Sequence, residues 1–259
     1  LRQAAVITTV ALALSACNRA GDPRADQPDA GRQLTAVVEM GESGDPKFVG
    51  RLIEIVQAAD SAPQVRMEAI YALARLGDRR AVLPLMALLE HDMTHREGYA
   101  MAAIPALGML GDERAAGLLR EALNDRAEDW LGRAMAARAL GQIGARDAVP
   151  DLLQAAWQGD TREAAIEALA SLEDPRAVAV LFSALGDEEA ADTREGAEQA
   201  LVRIGTPTVM FISRQLDGSF VDFPDQTYRL AARRLLRQID TDQARTLLAV
   251  IDGTPEDLN

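Results

Sequence analysis

The chain is 259 residues long and carries a formal net charge of −13; hydrophobic residues make up 48% of it and aromatics only 4%. Ala and Leu supply most of the apolar surface, which favours close-packed helices over a sheet-based core, because β-branched and aromatic residues are the strand formers. The acidic balance argues against DNA or RNA as the main partner, since phosphate binding needs a basic face. It argues equally against electrostatic docking on anionic lipid headgroups.

Leu1-Arg2-Gln3 is a short positive start, and Ala4 to Leu14 is an apolar stretch. That stretch is too short to span a bilayer, which takes about 20 residues, but has the length of a signal-peptide core. The one cysteine, Cys17, follows at once in Leu14-Ser15-Ala16-Cys17. It can form no internal disulfide. The tetrapeptide resembles a bacterial lipobox. The resemblance implies cleavage before Cys17, a diacylglycerol on its thiol and acylation of the new amine. Several acyl chains on one residue give stable anchoring where a single chain gives only marginal binding. Asn18, by the same resemblance, implies export to the outer membrane. An ordinary signal peptide is the alternative reading, and the start at Leu rather than Met departs from the pattern.

The expected organisation is therefore a signal peptide over 1–16 and a lipidated Cys with a disordered tether over 17–33. A repeat region over 34–251 and a flexible tail over 252–259 complete it. Residues 18–33 are rich in Asp, Gly, Pro and Arg and bury too little apolar surface to fold. As a flexible tether they would span about 22 Å.

From residue 34 one pattern recurs: an Ala/Leu-rich helix ends at Leu-Gly-Asp or a variant, and a second helix starts at Ala-Val or similar. Clear copies are MEAIYALARLGDRRAVLPLMALLE at 67–90 and RAMAARALGQIGARDAVPDLLQAAW at 133–157. The turn position falls at Gly44, Gly77, Gly111, Gly144, Glu173, Gly205 and Asp240, spaced by 29 to 35 residues. That is the period of a helical hairpin, and about seven units fit, the first and last being least regular. Gly can take the left-handed cap conformation past the first helix, and Asp or Thr next to it can cap the second. Pro84, Pro150, Pro175 and Pro207 lie in or near the first turn of second helices, where a missing N–H does little harm. Pro105 falls inside a first helix and should kink it. Val82, Leu85, Met86 and Leu89, matched by Val149, Leu152, Leu153 and Ala156, form an inward stripe. No hairpin buries its apolar face alone, so each stacks on its neighbours. Over residues 34–251 these features resemble HEAT-like repeats of the phycobilisome-lyase type. The resemblance implies an all-α fold, a right-handed α-solenoid of about seven HEAT-like hairpins.

Chemistry-bearing residues are few. The two histidines, His91 and His95, sit in Glu90-His91-Asp92-Met93-Thr94-His95. On a continuing helix they would share one face at the spacing of a His-Glu-x-x-His zinc motif, with Asp92 in place of the Glu. Two ligands alone rarely hold zinc, and a solvated loop is the alternative. Some HEAT-like proteins are di-iron hydroxylases that use His-Glu dyads; here Asp92 and Arg96 follow the histidines, so that resemblance fails on its required residues. Bilin lyases, another HEAT-like class, act inside the cell. No Gly-x-Ser-x-Gly elbow or Walker-type loop occurs. The expectation is a protein that is not an enzyme and carries no cofactor.

In such solenoids the second helices usually line the concave side. Positions off the core stripe then face a groove: Leu83, Ala87 and Glu90; Gly117, Glu121 and Asn124; Pro150, Gln154 and Trp157; Ala179 and Ser183; Met210, Arg214 and Asp217. Leu83, Trp157 and Met210 are the expected grip on a helix or extended peptide, with packing of Trp157 under the next repeat as the alternative. A second candidate surface is the loop 217–225, which holds Phe220 and Phe223; such rings either tuck against the last hairpin or form a contact site. The resulting expectation is a membrane-tethered scaffold of the bacterial envelope that holds a protein or peptide. A metal-binding protein or metal-dependent enzyme using His91 and His95 is the alternative.

Overall fold

The structure, a computed structural model, describes residues 30–127, 129–187, 190–216 and 226–253. Cys17, Asp217, Phe220 and Phe223, with the expected signal peptide and the loop 217–225, lie outside the described residues. Among the described residues there are fourteen helices and no strand, the number that seven hairpins require. The chain divides into two compact units, with the boundary between Ile143 and Gly144.

The first unit contains α1 (Ala30–Glu42), α2 (Val49–Gln57), α3 (Pro63–Leu76), α4 (Val82–His95), α5 (Ala100–Leu110), α6 (Ala116–Asn124) and α7 (Trp130–Gln142). The second contains α8 (Val149–Ala155), α9 (Arg162–Leu172), α10 (Val178–Ala184), α11 (Ala191–Ile204), α12 (Thr206–Leu216), α13 (Gln226–Ile239) and α14 (Asp242–Gly253). Helix α1 begins four residues before the expected start of the repeat region, at Ala30, with Val37 and Gly41 as its buried residues. Helix α14 likewise runs to Gly253, one residue past the expected onset of the tail.

Each unit is built in two layers. In the first, α1, α3, α5 and α7 pack in order, α2, α4 and α6 form the second layer, and each second helix also leans on the next first helix. In the second unit α9, α11 and α13 form one row and α10 packs on α12 in the other. Neighbouring elements thus bury each other's apolar faces, as a repeat architecture demands. Leu73, Leu85, Leu89 and Leu107 in the first unit, and Leu152, Leu169, Leu181 and Leu201 in the second, are fully buried. Each such side chain contributes roughly 1.5–3 kcal/mol. Small residues set the spacing within the first layer: a Cβ on Gly108 would stand 3.0 Å from Ala139 Cα, and one on Gly41 would stand 2.8 Å from Ala72 Cβ.

The hairpin turns follow from local chemistry. Gly77 (φ 67°) and Gly111 (φ 65°) end α3 and α5 in the left-handed region, where a side chain is costly. The Asp that follows does not cap the second helix directly. It caps a single 3-10 turn: Asp78 Oδ1 accepts from the Arg80 amide at 2.9 Å, ahead of the turn Arg79–Ala81. The same device recurs at Asp45 with Lys47, Asp112 with Arg114 and Asp174 with Arg176. The basic side chain two residues on then folds back as an ion pair, 2.7–2.8 Å in all four turns. Arg80 reaches further, donating to the Pro46 carbonyl of the preceding turn at 2.9 Å, and Arg176 donates to the Arg146 carbonyl at 3.1 Å. These side-chain hydrogen bonds hold all four carboxyls below the ordinary carboxylate range. In the turn before α8 the position is Ala145, which has no side chain to cap with.

Helix α5 is one continuous element through Pro105. Glu173 and Asp240 take the left-handed position at φ 51° and φ 45°, where the other turns place Gly. Thr206 does not cap a later helix start but opens α12 itself.

Candidate functional surface

Second helices carry their apolar stripe inward and leave a row outside. Val82, Leu85 and Leu89 of α4 are buried, while Leu83, Ala87 and Glu90 on the same helix are exposed. Gly117, Glu121 and Asn124 on α6, Pro150 and Gln154 on α8, Ala179 on α10 and Met210 and Arg214 on α12 are also exposed. Ser183 is half-buried, donating its hydroxyl to the Val180 carbonyl at 2.7 Å. The helical period that buries one stripe places the other in solvent.

Three apolar side chains of these rows stand out against water: Leu83 is 58% exposed, Met210 45% and Trp157 72%. Trp157 is not packed under a following repeat. Helix α8 ends at Ala155, so Trp157 falls in the turn beyond it, where its amide donates to the Gln154 carbonyl at 3.2 Å. Trp130, at the first position of α7, is 54% exposed and Met109 on α5 is 46% exposed. Neither was reached from the sequence. Trp130 sits just after the Asp129 cap of α7, whose Oδ1 accepts from the Gly132 amide at 2.8 Å. The Asp129 cap marks the start of α7 and puts Trp130 at its first position, and that was the available signal.

His91 and His95 lie within α4 rather than in a loop, since the helix runs to His95 and closes on Arg96 in the left-handed conformation. Their rings stack, centroids 3.8 Å apart and planes at 16°. Among the described residues no group of three or more His, Cys, Asp or Glu stands ready to hold a metal ion as it lies. Asp92, between them in sequence, is 2% exposed and serves the chain instead: its Oδ2 accepts from the Ala100 amide at 2.8 Å. Tyr99 at the N-terminus of α5 has no capping side chain, so this remote carboxylate satisfies one of the free amides. Its Oδ1 is buried without a hydrogen bond. Nearby, the guanidinium of the buried Arg66 lies over the Tyr99 ring, 4.9 Å from its centroid, and donates to the Ala58 carbonyl.

The family model for HEAT repeats matches residues 22–97 and 125–202, and that for the PBS lyase HEAT-like repeat matches residues 100–125. The HEAT matches span more than half of the chain, which therefore belongs to the HEAT-repeat family. Among solved structures it is similar to the complex of CpcE and CpcF of phycocyanin lyase from Nostoc sp. PCC7120. That likeness has 24% identity and a TM-score of 0.51, over 88% of this chain and 91% of that one. Human deoxyhypusine hydroxylase in complex with glycerol is a more distant likeness, at 21% identity and a TM-score of 0.37 over 83% of this chain and 81% of that one. No curated protein matches. Among the described residues no helix is long and apolar enough to cross a membrane.

Proposed function

We propose that the protein is a lipid-anchored, non-catalytic scaffold of the bacterial cell envelope, a right-handed solenoid whose second-helix rows hold a protein or peptide partner. The observation that carries the reading is the exposure of Leu83, Trp157 and Met210 on positions that the helical period turns away from the core. Large apolar side chains in solvent cost free energy unless something covers them, and Trp and Met are enriched where partners dock. CpcE and CpcF, the similar solved proteins, form a complex with each other, which supports a protein as the class of partner. The anchor rests on the lipobox resemblance at Leu14–Cys17, with the periplasmic face of the outer membrane as the proposed site.

The test is photocrosslinking in living cells from positions 83, 157 and 210, in the native chain and in Cys17→Ala, with metabolic labelling by an alkynyl fatty acid. One abundant envelope protein crosslinked from these positions but not from Glu113, an exposed residue of the 3-10 turn before α6, is the expected result. The label is expected to vanish in Cys17→Ala. Crosslinks spread evenly over control positions would remove the groove, and a label that survives the substitution would remove the anchor.

A further inference from the structure

The second helices of the first unit place residues of equal rank side by side. Val49, Val82 and Ala116 open α2, α4 and α6, and α4 packs on both α2 and α6. Gly50, Leu83 and Gly117 are therefore the same position of three successive helices. One turn on come Glu54, Ala87 and Glu121, and then Gln57, Glu90 and Asn124. All nine are exposed. A helix repeats its face every three or four residues, so the nine share the outward face of this layer. The two glycines have no reason inside the chain. A Cβ on either would meet nothing within 4 Å, and neither has the left-handed backbone that selects Gly. In a helix Gly is a poorer choice than Ala, because it loses more backbone freedom on folding. Gly41 and Gly108 differ, since a Cβ there would press on the neighbouring first helix. A bare helix surface on either side of Leu83 lets something outside the chain come close to the backbone, as small residues do where helices approach tightly. Leu83, 58% exposed, stands between the two as an apolar ridge. Glu54, Glu90 and Glu121 border it, Glu54 sharing its carboxylate with Arg51 at 2.8 Å.

We propose that this face of α2, α4 and α6 seats a cationic amphipathic helix of the partner. Its backbone comes down over Gly50 and Gly117, an apolar side chain lies against Leu83 and Ala87, and Lys or Arg stands beside Glu54, Glu90 and Glu121. Charge complementarity selects this occupant. The three carboxylates on the face belong to a chain of net charge −13, which repels an acidic segment and draws a basic one. The inference rests on the scaffold reading and deepens it, naming the chemistry of the partner at the Leu83 position.

The test is fluorescence anisotropy of the full chain with a labelled peptide of about five helical turns, built of Leu and Lys in amphipathic order, and with the same peptide carrying Glu for Lys. The Lys peptide is expected to bind and the Glu peptide is not. Gly50→Gln and Gly117→Gln each put a side chain into the bare surface. Each is expected to weaken binding about tenfold, with melting by circular dichroism unchanged or raised. Glu121→Gln is expected to weaken it about threefold. Glu113→Gln removes the same charge from the exposed 3-10 turn before α6 and is expected to leave binding unchanged. No binding of the Lys peptide, equal binding of the two peptides, or full binding by either glycine variant would overturn the proposal. So would an equal loss in Glu113→Gln and Glu121→Gln, the mark of general attraction to an acidic chain. In cells, a crosslink from position 83 whose yield is untouched by Gly117→Gln would overturn this inference and leave the scaffold standing. Absence of crosslinks from positions 83, 157 and 210 would remove both.

Discussion

Trp157 lies in the turn beyond α8, and the end of that helix at Ala155 decides the exposure of the ring. A side chain that is 72% exposed has little packing to lose. Trp157→Ala is therefore expected to leave the unfolding free energy from urea titration within about 0.5 kcal/mol of the parent, while weakening capture of the crosslinked partner tenfold or more. Asp92 was legible only as the second residue of a metal motif. Its role as the cap of α5 depends on the path of the chain from Arg96 to Tyr99, which no local pattern specifies. Asp92→Ala leaves the Ala100 amide without its acceptor and is expected to cost roughly 1–2 kcal/mol. Asp92→Asn keeps an oxygen acceptor for the Ala100 amide, so chemical denaturation of the pair should show Asn retaining most of the stability that Ala loses.

At the scale of the element, the Gly-Asp turn was legible because two requirements, a left-handed backbone and a side-chain acceptor, select two residue types side by side. The 3-10 turn between Asp and second helix was not, since its three residues carry no apolar period of their own. Nor was the return of Arg80 and Arg176 to the preceding turn, a contact between residues 34 and 30 apart in sequence. These bonds make the turns a ladder as well as a set of caps. Asp174→Ala is expected to cost about 1 kcal/mol as a lost cap. The Asp174 carboxyl, held below its ordinary range mainly by the Arg176 side-chain hydrogen bond, gives up its proton more readily in the folded chain than in the unfolded one. Its stabilisation is thus complete above about pH 4, the unfolded value, and is lost as the pH falls from there through the folded value. Urea midpoints measured from pH 7 to pH 3 should fall less steeply in Asp174→Asn than in the parent.

For the whole molecule, the repeat period gave away the number of helices, because every unit repeats the same burial problem. The division after Ile143 was hidden: Gly144 (φ 75°) resembles the other turn glycines. The difference lies one and three residues on. Ala145 stands where the turns at Gly44, Gly77, Gly111 and Glu173 are followed by a capping Asp, and Asp147 stands where those turns have Lys or Arg, so this turn lacks both that cap and its ion pair. In an array whose elements pack on their sequence neighbours, a local loss of stability spreads only as far as the coupling between neighbours carries it. Leu169→Ala, which empties a fully buried site in α9, is expected to cost about 2–5 kcal/mol. Hydrogen exchange followed by mass spectrometry should then show faster exchange in α8 to α13 and little change in α1 to α5. An equal rise along the whole chain would instead mean that the effect of Leu169→Ala is not confined to its own compact unit.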